Sequence, residues 1–398
     1  MEQAQDVPPK FLALILAIAA GATVANLYYS QPLLAIMGSE FAQSANLLGM
    51  VPTLTQIGYA VGLVMLVPLG DSHERRGLIV RMTVLVALAL LAVSYSPSFA
   101  WLLGASFLLG MLTIVPQLVV PFSASLVGPK TRGRFVGQVM SGLLIGIILS
   151  RTLSGYAEAY IGWRMIYVIA AAVMLGLSAV LYFTLPRQMP PSPVSYRELL
   201  ASLGGLVRNE PVLRRHALIG ALGFGAFSAF WTPLVFHLGH ISPVYGAQTV
   251  GTLGLLGVTG ALVAPLSGRF SDRFGARLIN GVALLLVVAA FATLWVGRAS
   301  LATIALGTIL LDAGIQGSHI SNQTRIYALH PNLRSRLNAI YMFSYFVGGA
   351  VGSGVGSFLW QNWGWAGVCL LGGGFGLAAF ATLLVLADSR EKVAAEDA

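Results

Sequence analysis

Apolar runs long enough to cross a lipid bilayer recur from one end of this 398-residue chain to the other. Crossing the hydrocarbon core takes about 20 apolar residues in a helix, and backbone polar groups in lipid require a helix or a closed barrel. The runs are continuous, without the alternation of barrel strands, so they predict helices. Only 9% of the residues are charged, whereas soluble domains carry roughly 25%. The chain is therefore predicted to lie mostly in lipid, which excludes a soluble enzyme with a single anchor.

Twelve apolar runs predict twelve membrane-spanning helices. The predicted spans are residues 11–34, 47–69, 78–95, 101–122, 135–153, 166–185, 217–236, 250–266, 278–296, 301–320, 339–359 and 365–386. The first run is longer than the apolar part of a signal peptide, so we interpret it as a retained span. The interval 186–216 opens with four prolines and continues with SYRE, a helix-capping sequence. It predicts a cytoplasmic linker with a short amphipathic helix between an N-terminal bundle (1–185) and a C-terminal bundle (217–398).

The basic residues set the predicted orientation. The chain has 23 Lys and Arg against 14 Asp and Glu, a net charge of +9, which in a soluble protein would suggest a nucleic-acid partner. Here the basic residues lie in short intervals between apolar runs, and 20 of the 23 are cytoplasmic when the N-terminus is inside. Arg164 and Arg298 fall in outer loops, and Arg151 falls within a span. This bias predicts that both termini are cytoplasmic. It also predicts that the chain is surrounded by the lipid bilayer and has no nucleic-acid partner.

The two halves of the chain repeat a charged loop. Asp71 follows the second predicted span, in VPLGDSHERR, and Asp272 follows the eighth, in GRFSDRFGAR, 201 residues later. A twofold repeat of spans is typical of transporters, whose substrate sites lie near the midplane where the halves meet. Each aspartate can cap a neighbouring helix and attract arginines, which would hold the cytoplasmic ends together while the site faces outward. The predicted gating residues are Asp71, Arg75, Arg76, Asp272, Arg273 and Arg277; the alternative is that they only fix topology.

The second charged loop carries a family motif. Residues 268–277 fit the pattern G-x-x-x-D-R-x-G-x-R, and here the chain resembles the major facilitator superfamily over essentially its whole length. In the first loop Val67 and Glu74 replace the two glycines. The segments NLYYSQPLL (26–34) and SNQTRIYAL (321–329) are similar to a bacterial subgroup of efflux permeases, nearest the twelve-span drug/proton antiporters. The resemblance implies an all-α membrane protein with two pseudo-symmetric six-helix bundles, alternating access and a monomer in a bacterial cytoplasmic membrane.

Two motifs of those antiporters are incomplete in this chain. Their fourth span carries an arginine four residues before a glycine, whereas Ser106 precedes Gly110 here. Their fifth span carries a G-x-x-x-G-P-x-x-G-G run, whereas Gly142 and Gly146 are followed by Ile147. The proton relay known for the antiporters therefore does not carry over through these positions.

Small residues at four-residue spacing predict close helix packing in spans two, five, eight and eleven. They are Gly58 and Gly62, Gly142 and Gly146, Gly257 and Ala261, and Gly348, Gly352 and Gly356. In the superfamily these spans form the contact between the halves, so the small residues are predicted to form the surface on which the halves rock. The alternative is ordinary packing of membrane helices.

The tenth predicted span carries Asp312, Gln316, His319 and Gln323 on one helix face. A carboxyl within a membrane helix costs roughly 2.5–3.5 kcal/mol to insert, so it should face the protein interior or water. Apolar surroundings disfavour its charged form, which allows proton exchange near neutral pH. Asp312 is therefore the predicted proton-coupling residue, and the alternative is a structural hydrogen bond or ion pair. For His319, proton coupling and a polar place in the cavity wall are both open.

Arg151 is the second charge within a predicted span. A buried guanidinium stays protonated and needs an anion or several acceptors. At 1.5 Å per residue, Arg151 and Asp312 fall within roughly 6 Å of the same membrane depth. We hypothesise that they pair in at least one state and that protonation or substrate breaks the pair. The alternatives are a salt bridge for assembly alone and an anchor for an anionic substrate.

Polar and aromatic residues on several spans predict a nearly neutral substrate cavity, which suits amphiphilic organic molecules. Phe224 and the eleven residues named next, from spans one, four, seven, ten and eleven, would line this cavity. The predicted cavity residues are Asn26, Tyr29, Ser30, Thr113, Gln117, Phe227, Trp231, Gln316, Gln323, Tyr341 and Tyr345. We predict a secondary transporter for proton-driven export of small organic or drug-like compounds. The alternative is a proton-coupled uptake permease for an organic acid.

Other classes lack their motifs. No phosphate-binding G-x-x-x-x-G-K-[ST] loop, H-E-x-x-H or G-x-S-x-G sequence occurs, so ATP hydrolysis and the common hydrolase mechanisms are not indicated. The single cysteine, Cys369, forms no intramolecular disulfide and provides no zinc site. A membrane enzyme would need a polar cluster at an interface, which the sequence does not show. We expect no metal and no cofactor, and the proton gradient as the driving force.

Overall fold

The computed structural model describes residues 9–189, 196–242, 244–330 and 333–385, and within these ranges every regular element is helical. The elements are α1 (Pro9–Ala25), α2 (Ser30–Phe41), α3 (Ala45–Leu48), α4 (Met50–Met65), a 3₁₀ turn (Val67–Asp71), α5 (Arg75–Tyr95), α6 (Phe99–Leu112), α7 (Val115–Ser125), α8 (Pro129–Thr184), α9 (Tyr196–Asn209), α10 (Pro211–Trp231), α11 (Leu234–Ile241), α12 (Ala247–Leu255), α13 (Val258–Phe274), α14 (Ala276–Val296), α15 (Leu301–Leu329) and α16 (Arg334–Val385). The predicted all-α membrane fold is confirmed.

Two helices are far longer than one bilayer crossing. Helices α8 and α16 have 56 and 52 residues, or about 80 Å at 1.5 Å per residue, against a hydrocarbon core of about 30 Å. Gly162 (φ 72°) interrupts α8 and Gly364 (φ 60°) interrupts α16, in a backbone region where glycine alone is unstrained. Each therefore holds two helical arms. Within the described residues, ten segments are long and apolar enough to span a membrane, including these two. The count of twelve and the location of the termini stay predictions.

Proline breaks divide the first and seventh predicted spans. The sequence predicts span one as one helix, but α1 ends at Ala25 and α2 begins at Ser30, so the predicted cavity residues Asn26, Tyr29 and Ser30 do not lie on one continuous helix. Pro32 has no N–H to donate to residue 28, and it fits the first turn of a new helix. Pro233 likewise separates α10 from α11. The two prolines lie 201 residues apart, the separation of the two charged loops.

The chain forms two compact units. Unit 1 contains Met1–Leu200 and Trp231–Val258, and unit 2 contains Ala201–Phe230 and Thr259–Ala398. In unit 1, α1 and α5 pack on α8, α4 packs on α6, and α12 packs along α8. In unit 2, α14 packs on α15 and α16. The second-half segment that contains α12 thus groups with unit 1, and the domain boundaries at 186 and 216 stay predictions.

The linker region contains the expected short helix, α9, and the following helix starts earlier than predicted. Helix α10 begins at Pro211 and not at residue 217. Arg215 is buried because its Nη2 donates to the carbonyl of Leu383 near the end of α16. In the predicted capping sequence 195–198, Ser195 and the side chain of Arg197 lie outside the residues that the structure describes. Tertiary contacts therefore extend α10 into a segment whose polar composition predicted a linker.

The predicted surface of small residues packs within each half instead. A Cβ on Gly58 or Gly62 would meet the backbone of α6, and one on Gly142 or Gly146 would meet the backbone of α1. The spacing in span eleven behaves in the same way: Gly348, Gly352 and Gly356 face Ala221, Gly225 and Ala229 of α10. The prediction that these seven glycines face the other half is therefore wrong, and for Gly257 and Ala261 it stays a prediction. The packing of α8 on α12 uses Gly155 and Gly251.

Candidate functional site

Arg151 is held where the two proline breaks meet. It is only 2% exposed, and its Nε donates to Oε1 of Gln31 at 2.6 Å. Its guanidinium carbon lies 4.7 Å from the ring centroid of Tyr28 and 4.3 Å from that of Trp231. Tyr28 and Gln31 belong to the break between α1 and α2, and Trp231 ends α10 at the second break. Repeated breaks in the two halves of the sequence thus supply the partners of one buried cation.

This arrangement bears on two predictions, the place of Trp231 in the substrate cavity and the pairing of Arg151 with Asp312. Trp231, predicted to line the substrate cavity, is fully buried against Arg151. Asp312 belongs to unit 2 and is itself buried, at 7% exposure, and its pairing with Arg151 stays a prediction. Sequence reasoning missed Tyr28 and Gln31. The signal that could have found them is the 201-residue separation of Pro32 and Pro233, since interrupted spans at equivalent positions point to transporter sites.

Helix α12 packs closely against the part of α8 that contains Arg151. Thr152 Oγ1 donates to the carbonyl of Gly251 at 2.9 Å, and the hydroxyls of Tyr156 and Thr252 lie 2.8 Å apart. A Cβ on Gly254 would lie 3.0 Å from the Cβ of Arg151. The α8–α12 contact therefore has no room for larger side chains and carries its own hydrogen bonds beside the arginine.

An aromatic cluster forms the centre of the predicted site residues in unit 2. His319 Nδ1 lies 3.0 Å from Oη of Tyr341, and the His319 ring centroid lies 5.0 Å from that of Tyr345. Phe224 stacks on Tyr345 at 4.1 Å and on Phe227 at 5.5 Å. These five residues, which we call the His319 cluster, come from α10, α15 and α16. The structure thus brings together side chains that the sequence predicted on spans seven, ten and eleven.

The other polar residues of α15 extend along the same unbroken helix. A Cβ on Gly260 of α13 would lie 3.1 Å from the carbonyl oxygen of Asp312 and 3.5 Å from Cβ of Gln316. Farther along α15, Gln323 Nε2 donates to Oδ1 of Asn338 at 3.3 Å. Because α15 has no break, its four polar positions keep the predicted helical spacing, and α13 covers its Asp312 end.

Gly220 on α10 makes room for the Tyr341 ring. A Cβ there would lie 2.6 Å from Cε2 and 2.8 Å from Oη of Tyr341, whereas a Cβ on Gly223 would meet nothing closer than 3.6 Å. We expect Gly220→Ala to displace the ring from His319 and to lower the free energy of unfolding by about 1–3 kcal/mol through overpacking. Gly223→Ala, on the same helix, should be near neutral. Thermal unfolding of the two purified variants compares them, and equal melting temperatures would contradict the close approach.

A buried polar network adjoins the cluster and was missed by sequence reasoning. Oδ1 of Asn322 accepts from Nδ2 of Asn280 at 2.8 Å and lies 2.7 Å from Nδ1 of His216. Ser318 donates to Oδ1 of Asn280 at 2.7 Å. Because an amide oxygen only accepts, Nδ1 of His216 carries a proton in this arrangement. The missed signal is Asn280 in an otherwise apolar run, since a polar group within a membrane helix needs a partner.

The predicted cavity residues of unit 1 are engaged within that unit. Asn26 Nδ2 lies 3.6 Å from Sδ of Met174, and Gln117 Nε2 donates to the hydroxyl of Tyr59 at 3.2 Å. Thr113 donates to a backbone carbonyl one turn earlier in its helix, and Ser30 is 5% exposed. Tyr29 alone among them lines a cavity of about 810 Å³, which lies between α1 and the two arms of α8. The structure does not bring these residues into one cavity.

The first charged loop is tied to its own half. Glu74 caps α5 by accepting from the backbone N–H groups of Arg76 at 2.8 Å and Gly77 at 2.7 Å. Glu74 has an extended backbone with φ −60°, so this position does not require the glycine of the family motif. Arg76 Nη1 donates to the carbonyl of Leu185 at 3.3 Å. The side chain of Asp71 lies outside the described residues, so its gating role stays a prediction.

The second charged loop turns at a glycine. Gly275 has φ 87° and separates α13 from α14, which is the conformation that the second motif glycine provides. Asp272 and Arg273 are exposed and Arg277 is half-buried. In the first loop, Arg75 Nε donates to a carbonyl of its own 3₁₀ turn at 3.3 Å. A gating role for these residues stays a prediction.

Comparison with known proteins decides the family. A family model described as Major Facilitator Superfamily matches residues 16–320 and 246–398. The chain belongs to the major facilitator superfamily. Over 361 residues it is 41% identical to "Uncharacterized transporter YgaY" of Escherichia coli O157:H7, covering 91% of this chain and 92% of that protein.

Two more distant similarities agree with membership of the superfamily. A Pasteurella multocida protein named "Probable sugar efflux transporter" is 26% identical over 366 residues, covering 87% of this chain and 86% of that protein. The crystal structure of a bacterial homolog of the human lysosomal transporter Spinster, in an inward-facing and occupied conformation, matches with a TM-score of 0.69 at 15% identity. That match covers 96% of this chain and 95% of the other. The superfamily member described here is therefore a multi-pass membrane transporter.

Proposed function

We propose that this transporter exports small organic, drug-like compounds in exchange for protons, by alternating access in the bacterial cytoplasmic membrane. It would work as a monomer with both termini in the cytoplasm, with the proton gradient as its energy source and no bound cofactor. The His319 cluster carries the proposal, because stacked aromatic rings with few polar groups suit amphiphilic organic molecules. Export is also supported by the name of the Pasteurella multocida relative.

Proton coupling is proposed for Asp312. It lies seven residues before His319 on α15, on the same helix face and about 10 Å away along the axis. A carboxyl buried at 7% exposure exchanges its proton only when a conformational change or a ligand reaches it, and a single acid within a membrane helix is by default a functional candidate. Binding of substrate at the His319 cluster would thus compete with protonation of Asp312 on the same helix face.

The alternative function is uptake of an organic acid anchored on Arg151. An anionic substrate would have to reach the guanidinium, which is 2% exposed and lies against Tyr28, Trp231 and Gln31. A bidentate carboxylate contact needs open N–H groups in the guanidinium plane. An acid would therefore have to displace the Gln31 hydrogen bond and the two ring contacts, which favours export of weakly charged compounds over uptake of an acid.

Proteoliposomes with an imposed pH gradient and an internal pH-sensitive dye test the proposal. Addition of lipophilic organic compounds should dissipate the gradient in a saturable way, whereas protein-free liposomes should keep it. Aliphatic carboxylates serve as the comparison set and should leave the gradient unchanged. A response confined to the carboxylates would support the uptake permease and contradict drug export.

A further inference from the structure

A groove in unit 2 lies apart from the His319 cluster. It has a volume of about 530 Å³ and is formed by the start of α14, the last turns of α15 and the end of α16. By the predicted topology, this is the cytoplasmic end of all three helices. The site described above uses none of the apolar residues of this groove, and only Arg277 of its lining has an assigned role, in the predicted gate.

Two arginines line the groove. Arg277 lies in the first turn of α14, and Arg325 lies four residues before the end of α15. Both side chains are half-buried. A guanidinium presents paired N–H groups that match phosphate oxygens, so two of them beside one groove favour a phosphate-bearing ligand.

The walls of the groove are apolar and face outward. Leu278, Val282 and Leu285 of α14 are 58%, 51% and 49% exposed and follow one another on one helix face. Phe380 and Leu384 of α16 form the facing wall. From Arg277 to Leu285 the groove follows α14 for about 12 Å, at 1.5 Å per residue.

Gly281 lies at the floor of the groove. A Cβ at this position would lie 3.7 Å from atoms of both Leu383 and Phe380, which is ordinary van der Waals contact. The glycine therefore marks where α14 and α16 approach each other beneath the exposed walls.

We infer that this groove binds one anionic glycerophospholipid of the cytoplasmic leaflet. Its phosphate contacts Arg277 and Arg325, and an acyl chain lies along Leu278, Val282 and Leu285. Basic pockets between membrane helices on the cytoplasmic side recognise anionic headgroups, and the leaflet supplies such lipids at high local concentration. Arginines that only set topology need no adjoining apolar groove, and this pair has one. The inference does not depend on the transported substrate.

Native mass spectrometry of the purified full-length protein, titrated with phosphatidylglycerol and with phosphatidylcholine of the same acyl chains, tests this inference. The protein should bind phosphatidylglycerol about tenfold more tightly, since hydrogen bonds to charged groups are worth at least that factor. The double variant Arg277→Gln/Arg325→Gln should lose this preference. The matched double variant Arg132→Gln/Arg134→Gln, at two exposed arginines of α8, should keep it.

A second pair of variants tests the acyl part while leaving both arginines in place. Val282→Trp should fill the groove and weaken the binding of phosphatidylglycerol, and Ala289→Trp, at an exposed position of α14 outside the groove, should not. Equal binding of the two lipids by the unchanged protein would overturn the inference. So would a preference that survives in the Arg277/Arg325 double variant, or equally effective competition by inorganic phosphate, which would indicate a site for free anions.

Discussion

Replacing Asp312 by asparagine is expected to reduce compound-driven proton flux in proteoliposomes to the level of protein-free vesicles. The amide has nearly the same shape as the carboxyl, so the packing of Gly260 against this part of α15 is kept, but it cannot take up and release a proton. Fluorescence of an internal pH-sensitive dye measures the flux. Glu158→Gln, the same change at a half-buried carboxyl of α8, is the control and should leave the flux unchanged.

Compound binding separates proton coupling from a structural role of Asp312. The unchanged protein should bind a transported compound with an affinity that depends on pH, because compound and proton compete. Asp312→Asn should still bind it, with an affinity that depends less on pH, because the amide cannot be protonated in this range. Retention of the full pH dependence by the variant would assign Asp312 to packing alone, and so would a lower melting temperature with unchanged pH dependence.

Arg151→Ala is expected to have the largest effect on stability. It leaves Gln31 Oε1 without its charged donor and removes the cation from between Tyr28 and Trp231. Removing one partner of a buried charged cluster costs about 3–5 kcal/mol, and each desolvated cation–π contact accounts for about 2 kcal/mol of such a loss. Thermal unfolding in detergent measures the change as a lower melting temperature.

Two further variants make the Arg151 result specific. Arg134→Ala removes an exposed arginine from the same helix and should change the free energy of unfolding by less than about 0.5 kcal/mol. Arg151→Lys keeps the charge but loses the flat guanidinium that both rings contact, so it should be intermediate. A melting temperature for Arg151→Ala equal to that of Arg134→Ala would show that the buried cluster contributes nothing to stability.

That the apolar segments are helices could be predicted from the sequence because lipid leaves the backbone few solutions. A run such as 278–296 has to be a helix in the bilayer, and α14 covers it completely. The breaks within α8 and α16 fall in the predicted intervals 154–165 and 360–364, but the sequence did not show that helix continues on both sides of a single glycine with positive φ. The start of α10 was missed because apolar composition marks only the lipid-crossing part of a helix, whereas α10 begins six residues earlier, at Pro211, in a first turn that proline fits.

The candidate site could be predicted from the sequence where its residues lie on one helix, and not where they come from several helices and the breaks between them. The polar face of α15 follows from spacing alone, and His319 indeed meets Tyr341 and Tyr345 of α16. The surroundings of Arg151 could not be read in this way, because its partners come from helix breaks 120 residues before it and 80 after it. The role of Glu74 as a helix cap was also not predicted, because comparison with the family motif shows only that a glycine is missing at this position.

The shared 201-residue period also shows where the two sequence halves have diverged. The position that corresponds to Arg151 is Gly352, whose Cα lies so close to Gly225 of α10 that no side chain fits. The counterpart of Asp312 is Met111, which packs its backbone against Gly62 of α4. Each ionic residue thus occupies a place that its duplicate uses for tight apolar contact. At both pairs of positions, one half of the sequence carries an ionic side chain and the other half a close backbone contact, so the two halves do not repeat their buried charges.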